Sequence, residues 1–345
     1  MQTCSTFRLD ARRVFRCDGL PPMKKHLLLS AVVATAFAAI SPVKAELLIG
    51  LTVQNTLISF DSSTPGTISS SVPIFGVVAG ETIFGIDRRP VAGPNNGVLY
   101  GFGVNTTTGQ GRIYTLDAGT GIAVPVAILF ADPADTIPPF PFTTVSGTAF
   151  GVDFNPVVDR LRVVSNTGQN LRINVGNGLV QLDVPLAYEA GDINFGDLPN
   201  VTSVAYSNNF AGAASTVLRG VDSGQSPDSL DVITNPNGGT LMTSLNLPFN
   251  GNDLSGYDIS GLTGTPYFSV NSGAGGPSQL FAAGPGGITL TGFIGGSVAL
   301  RGLAAPVGAP LTVPEAGGTL ASLLMGVLGL GFLGRTMRSF RVGHG

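Results

Sequence analysis

The chain has 345 residues, with 49 glycines, 24 prolines, no tryptophan and 11% charged side chains; its mean hydropathy of +0.34 excludes a disordered chain, and its length suffices for a hydrophobic core. The formal net charge of −3 averages over unlike stretches, because every lysine, histidine and cysteine lies near one of the two ends. Residues 46–312 hold no Cys, His or Lys, and eight arginines against eighteen carboxylates make a net charge of −10, which excludes Ser-His-Asp and Cys-His nucleophilic sites, His or Cys zinc centres, a P-loop lysine and a Schiff base, and argues against nucleic acid as a partner.

Residues 1–22 carry Cys4, Cys17 and four arginines, and Met23 is an alternative start. Met23-Lys24-Lys25 then opens a basic region, residues 27–40 run without charge, and Val43-Lys44-Ala45 places small residues where a signal peptidase reads them. This pattern predicts a secretory signal cut by signal peptidase between Ala45 and Glu46, so that residues 1–45 leave the mature protein.

Within residues 46–312 one short element recurs. Its copies are Phe84-Gly85-Ile86-Asp87, Phe150-Gly151-Val152-Asp153, Val204-Ala205-Tyr206-Ser207, Ser255-Gly256-Tyr257-Asp258 and Arg301-Gly302-Leu303-Ala304. Aligning Gly85, Gly151, Ala205, Gly256 and Gly302 gives steps of 66, 54, 51 and 46 residues, a period that points to a repeat architecture. A second apolar stretch follows each of the first four copies (99–102, 161–164, 218–221, 267–270), then a third with alternating polarity (112–117, 171–174, 230–233, 279–282). A fourth closes the unit, as at 179–182 and 288–291.

Four short strands per unit with Gly-rich turns predict an all-β chain folded as a β-propeller. Helices are excluded by 40 glycines in 267 residues, each costing about 1 kcal/mol in a helix interior. The last copy, 298–303, has no following strands, whereas 47–51 and 56–60 have no first strand before them. Pairing the N- and C-terminal strands therefore completes five four-stranded blades and leaves no open edge. A sixth blade fits only if the 122–150 connection hides another hairpin.

Asp87, Asp153 and Asp258 end the first strand of three units. Carboxylates ringing a channel mouth suit sugar hydroxyls or a hard cation such as calcium, the one cofactor these residues suggest; Asp at such a place also caps the following turn. No D-x-[DN]-x-[DN]-G calcium loop is present. Asp159, Arg160, Arg162 and Arg172 form the densest cluster of opposite charge, and strand alternation puts Arg160 and Arg162 on one face with Arg172 across from them. With Asp153 nearby, these side chains are either a binding site whose arginine fork grips a carboxylate, as on an acidic polysaccharide, or an ion-pair network between blades. Asp132 with Asp135, and Asp192 with Asp197, are the candidate acid and base pairs of a glycosidase.

Residues 317–334 are uncharged, apolar and long enough to span a bilayer, and Arg335, Arg338 and Arg341 follow them. The G-x-G-x-x-G match at 329–334 lies inside this span and follows no strand, so it is no dinucleotide site. Val313-Pro314-Glu315, the span and the basic tail resemble the PEP-CTERM sorting signals of bacteria, with Ala316-Gly317 in place of the usual Pro-Ser. That resemblance implies recognition by an exosortase-type transpeptidase over residues 313–345; a plain C-terminal anchor is the other reading of the same residues. The run from Gly151-Val152-Asp153-Phe154-Asn155-Pro156 through Leu171-Arg172-Ile173-Asn174, with Val201-Thr202-Ser203-Val204-Ala205-Tyr206, resembles the domain-of-unknown-function 4394 family of bacterial secreted proteins. It implies a propeller-like secreted domain and supplies no catalytic residues. The expected protein is an exported envelope or extracellular β-propeller, transiently anchored in the inner membrane. It acts as a binding or structural module toward exopolysaccharide or a surface protein, with a carboxylate-dependent glycan hydrolase or lyase as the rival.

Overall fold

The computed structural model describes residues 45–273 and 276–309; most of the expected leader, the Val313-Pro314-Glu315 motif, the apolar span and the basic tail lie outside the described residues. Among the described residues no helix is long and apolar enough to cross a membrane. The chain begins with β1 (Leu47–Thr52), β2 (Thr56–Asp61), β3 (Ile68–Pro73), β4 (Thr82–Arg88), β5 (Leu99–Asn105), β6 (Gln110–Leu116), β7 (Ala123–Ile128) and the short β8 (Phe130–Ala131). It continues through β9 (Phe150–Asn155), β10 (Arg160–Ser165), β11 (Asn170–Ile173), β12 (Leu179–Leu182), the short β13 (Ala187–Tyr188), β14 (Val201–Tyr206), β15 (Leu218–Asp222), β16 (Ser229–Asn235) and β17 (Thr240–Asn246). β18 (Ser255–Ile259), β19 (Pro266–Val270), β20 (Gln279–Gly284), β21 (Gly287–Phe293) and β22 (Leu300–Ala304) complete the strands.

These strands form five sheets, and each is one blade of a five-bladed propeller. The first blade is β22-β1-β2-β3, the second β4-β5-β6-β7, the third β9-β10-β11-β12 with β8 outside, the fourth β14-β15-β16-β17 with β13 outside, and the fifth β18-β19-β20-β21. Their inner strands follow one another around the axis, β22 beside β4, then β9, β14 and β18, which returns to β22. The ring closes as the repeat predicts: β22 is antiparallel to β1, with Ile49 opposite Ala304 and Gly50 opposite Leu303. β7 and β8 take up the 122–150 connection, so there is no sixth blade. Two blades differ from the four-strand expectation, because β8 adds in parallel to β12 and β13 to β17. Each covers an outer edge that would otherwise present unpaired backbone groups.

Because every blade is sandwiched between two others, both of its faces are apolar near the axis. Five buried clusters result, one in each seam between neighbouring blades. In the seam between the second and third blades, Tyr100 meets Phe154 edge-on at 5.2 Å and Phe102 meets Phe150 at 5.5 Å, contacts worth about 0.5–1.5 kcal/mol each beyond their area. Burial fades outward as the blades diverge: β14 is buried along its whole length, whereas most of β21 is exposed.

At the axis the inner strands approach so closely that side chains do not fit. A Cβ on Gly151 would lie 2.9 Å from the Ser203 backbone, and one on Gly256 would lie 2.7 Å from the Leu303 nitrogen. Ser203, not Ala205, therefore occupies the fourth place in the glycine layer. Hydrogen bonds fix the same register. Asp87 accepts from the Phe154 N–H, Asp153 from the Tyr206 N–H and Asp258 from the Ala305 N–H. Each donor comes one residue after the corresponding position of the next blade, so the series is Asp87, Asp153, Ala205, Asp258 and Ala304. The repeat alignment of the fourth blade is thus two residues out; a shift of two keeps every side chain on its own face, so the apolar pattern does not reveal it. Gly151→Val is expected to destabilise the fold by about 1–3 kcal/mol through overpacking, measured by denaturant unfolding, while Gly286→Ala, in a turn with no atom within 4 Å of the new methyl group, leaves the midpoint unchanged.

Candidate functional site

Strand pairing lays a polar row across the third blade. Asp153 on β9 is opposite Arg162 on β10, Arg162 is opposite Arg172 on β11, and Arg172 is opposite Gln181 on β12. Opposed residues share a face, and here it is the face toward the fourth blade: Asp153 accepts the Tyr206 N–H at 3.1 Å, and Arg162 Nε donates to the Tyr206 hydroxyl at 3.3 Å. Arg160 lies on the same face two residues before Arg162.

Arg160, Arg162, Arg172 and Gln181, but not Asp153, wall a cleft of about 380 Å³ between the third and fourth blades, together with Asn155, Tyr206 and Asn237. Three arginines and no carboxylate line it. Arg162, 2% exposed, is held rigidly, donating to Asp183 at 2.5 Å, Asn170 at 2.7 Å and Asn237 at 2.9 Å. Arg172 grips the same Asp183 with two nitrogens at 2.6 and 2.9 Å. Among the described residues the Arg160 side chain bonds only to the Val158 and Asp159 carbonyls of its own hairpin, both through Nη1. Asp183, Tyr206 and Asn237 were not singled out from sequence. The local sequence at that edge of the cleft, Asn235-Pro236-Asn237-Gly238-Gly239, is a turn pattern, and nothing in it points toward the third blade.

Asp159 takes no part in the arginine cluster beside it in sequence. With φ of 51° it turns its carboxylate to Arg89 of the second blade, at 2.8 and 2.5 Å. Asn155 builds that turn by accepting the Val157 and Val158 N–H groups. The ion-pair alternative thus applies to Asp159, across a different seam, but not to Asp153, which bonds to backbone.

The structure brings Asp87, Asp153 and Asp258 together at the axis. Each is 1% exposed, and one carboxylate oxygen from each lies within 4.8 Å of the others. Burial is the largest cause pushing all three upward in pKa, Asp258 to about 7; repulsion from Asp258 adds to Asp87, and from Asp87 and Asp258 to Asp153. The loop carboxylates are otherwise engaged. Asp132 accepts the Ala134 N–H, Asp135 the Leu182 N–H and Asp192 the Thr243 N–H. A second cleft of about 440 Å³, beside Tyr267 and Leu290, has no charged side chain in its wall.

A further acidic group lies inside the fourth blade. The Tyr188 hydroxyl is 2.6 Å from Asp222 and 3.0 Å from Asp231. Its single proton serves only one of them. Asp222 also accepts the Asn200 and Gly224 N–H groups, whereas Asp231 Oδ1 is buried with no hydrogen-bond partner among the described residues. Burial first, with repulsion from Asp222 and Asp192, pushes Asp231 up to about 7, against the hydrogen bond from Tyr188 that lowers it. A raised carboxyl binds its proton more tightly when folded, so its contribution to stability is present at acid pH and is lost as pH rises through about 7. The thermal midpoint is expected to fall between about pH 5 and pH 8, and Asp231→Asn, a neutral isostere, to fall less over the same range. Equal slopes in the two proteins would show that Asp231 is ionised in the fold.

No curated protein matches the sequence. Similar solved structures include a protein of unknown function from Bacteroides thetaiotaomicron, at 15% identity and TM-score 0.39, over 72% of this chain and 58% of that one. A putative 6-phosphogluconolactonase from Bacteroides uniformis is 13% identical, with TM-score 0.36, over 72% and 82% of the two chains. The calcium-binding protein regucalcin from Agrobacterium tumefaciens is 10% identical, with TM-score 0.38, over 75% and 78%. None is near enough to lend this chain an activity. A family profile described as domain of unknown function DUF4394 matches residues 56–304, from the start of β2 to the last residue of β22, and the chain belongs to that family.

Proposed function

We propose that the protein is an exported binding module that takes an acidic polysaccharide into the arginine cleft between its third and fourth blades. The observation that carries this is the cleft wall itself: three arginines and no carboxylate, in a body of net charge −10. Asp183 neutralises one charge of the Arg162 and Arg172 pair, and Arg160 adds a guanidinium whose Nε and Nη2 make no hydrogen bond among the described residues. That guanidinium edge matches a sugar carboxylate, which takes two parallel N–H bonds. The amides of Asn155, Gln181 and Asn237 beside it suit hydroxyls. A glycan hydrolase or lyase draws less support, since glycoside hydrolysis calls for two carboxylates around the scissile bond and the cleft wall has none. Export rests on the signal pattern that ends at Ala45, and sorting to the envelope by an exosortase-type transpeptidase on Val313-Pro314-Glu315 and the apolar span after it.

Two measurements test these readings. The purified protein is expected to be retained on an immobilised uronic-acid polymer, to be released by salt, and to pass through a neutral glucan; Arg160→Gln weakens retention about tenfold, the cost of one charged hydrogen bond, without moving the thermal midpoint. Equal retention on both polymers, or on neither, would overturn the polysaccharide reading and favour a surface protein as partner. N-terminal sequencing of the exported chain is expected to begin at Glu46, and any other start removes the assigned cleavage site.

A further inference from the structure

We propose that Asp87, Asp153 and Asp258 form an axial site for one calcium ion, which the inner strands of the second, third and fifth blades hold between them. The inference is separate from the arginine cleft. If these carboxylates served only to link blades, one oxygen of each would suffice, because each accepts a single N–H from the next inner strand. Asp87 and Asp258 use the other oxygen to accept the N–H of the following residue, Arg88 or Ile259, at 2.6 Å. Asp153 has no such partner. Its Oδ2 is buried with no hydrogen bond among the described residues, in a side chain 1% exposed, and an unsatisfied carboxylate oxygen there bears its full desolvation cost.

The surrounding charge asks for a cation. Arg88 is the guanidinium close enough to influence both Asp87 and Asp258, while Glu46 lies close enough to Asp258 to oppose its ionisation. Arg88 Nη1 is turned to the Gly97 carbonyl. The three axial carboxyl groups and Glu46 therefore outnumber the guanidinium groups near them, Arg88 and, opposite Asp153, Arg162, which is committed to Asp183, and a divalent ion supplies the missing positive charge. The donor set points to the kind of ion. One oxygen from each of the three carboxylates lies within 4.8 Å of the others, close enough to share one ion, and calcium tolerates the irregular, all-oxygen shell that three carboxylates and strand carbonyls would offer. Ala205 and Ala304 hold the other two places of the ring, where further carboxylates would overload the site with negative charge.

The test uses the purified full chain, unfolded in denaturant with EDTA, refolded without calcium and titrated with calcium chloride near neutral pH. Bound calcium is measured by elemental analysis after gel filtration, and the thermal midpoint is followed in parallel. One calcium per chain is expected, with a midpoint that rises as calcium is added. Asp153→Asn, which keeps an acceptor for the Tyr206 N–H, and Asp258→Asn are expected to bind roughly tenfold more weakly or worse, while Asp231→Asn, outside the site, binds as the parent does. A parent chain that retains no calcium and whose midpoint ignores it overturns the proposal, whether or not the variants refold. Equal binding by the parent, Asp153→Asn and Asp258→Asn also overturns it.

Discussion

Where five inner strands converge on one axis, a side chain has no room except in the seam beside it, and that crowding governs the rest of the molecule. Gly85, Gly151, Ser203, Gly256 and Gly302 make one layer, and at Gly151 and Gly256 the backbone of the next strand lies within 3 Å of where a Cβ would stand. One step along each strand the chain widens enough for a carboxylate to reach across and accept a backbone N–H of the next blade. Three seams are fastened in this way. The seam between the fourth and fifth blades, where the series has Ala205, is crossed instead by the hydroxyls of Thr202 and Ser255 at 2.8 Å. At the closing seam Glu46, just before β1, accepts the Ser260 hydroxyl of the fifth blade at 2.8 Å, so polar contacts as well as the β22–β1 pairing join the two ends of the array.

Charge is scarce in this chain, and what there is lies mostly at seams and hairpins. Arg89 and Asp159 tie the second blade to the third, with the guanidinium 5.7 Å above the Tyr100 ring. Arg112 pairs with Glu81 beside the second blade. Buried ion pairs contribute little net stability, because desolvation offsets most of the Coulomb gain. The four partners around Arg162, namely Asp183, Asn170, Asn237 and Tyr206, are better understood as fixing its orientation. Held from two blades, Arg162 fixes the wall of the cleft beside Arg160 in one arrangement.

Much of this organisation was legible in the sequence. The recurrence of a small residue two places before Asp, at Gly85, Gly151 and Gly256, marked three inner strands, and the unmatched strands at the two ends implied the closing blade. Alternation was enough to place Arg160, Arg162 and Arg172 on one face. The fourth blade escaped because its inner strand has neither the Asp nor the Gly of the others, and a period-two pattern is blind to a slip of two. β8 and β13 escaped because two residues carry no periodicity at all. The Arg89 to Asp159 pair, 70 residues apart, and the Asp183 that anchors two arginines lie where no local pattern points, since the ring topology alone brings them together.

The cleft and the axis are joined by a single side chain. Tyr206 ends the inner strand of the fourth blade; its backbone N–H binds Asp153 at the axis, and its hydroxyl accepts from Arg162 at the cleft. Asp153 and Arg162 are themselves opposite one another on adjacent strands. Position along this path is therefore set by backbone pairing at two points and by one rigid aromatic ring between them. A change in how the third and fourth blades meet at the axis would reach the arginines through a ring that cannot bend, rather than through a flexible loop. That is the physical reason for a propeller of low charge to build an arginine-lined cleft between two blades: the seam holds the guanidinium groups in place with the same contacts that hold the blades together.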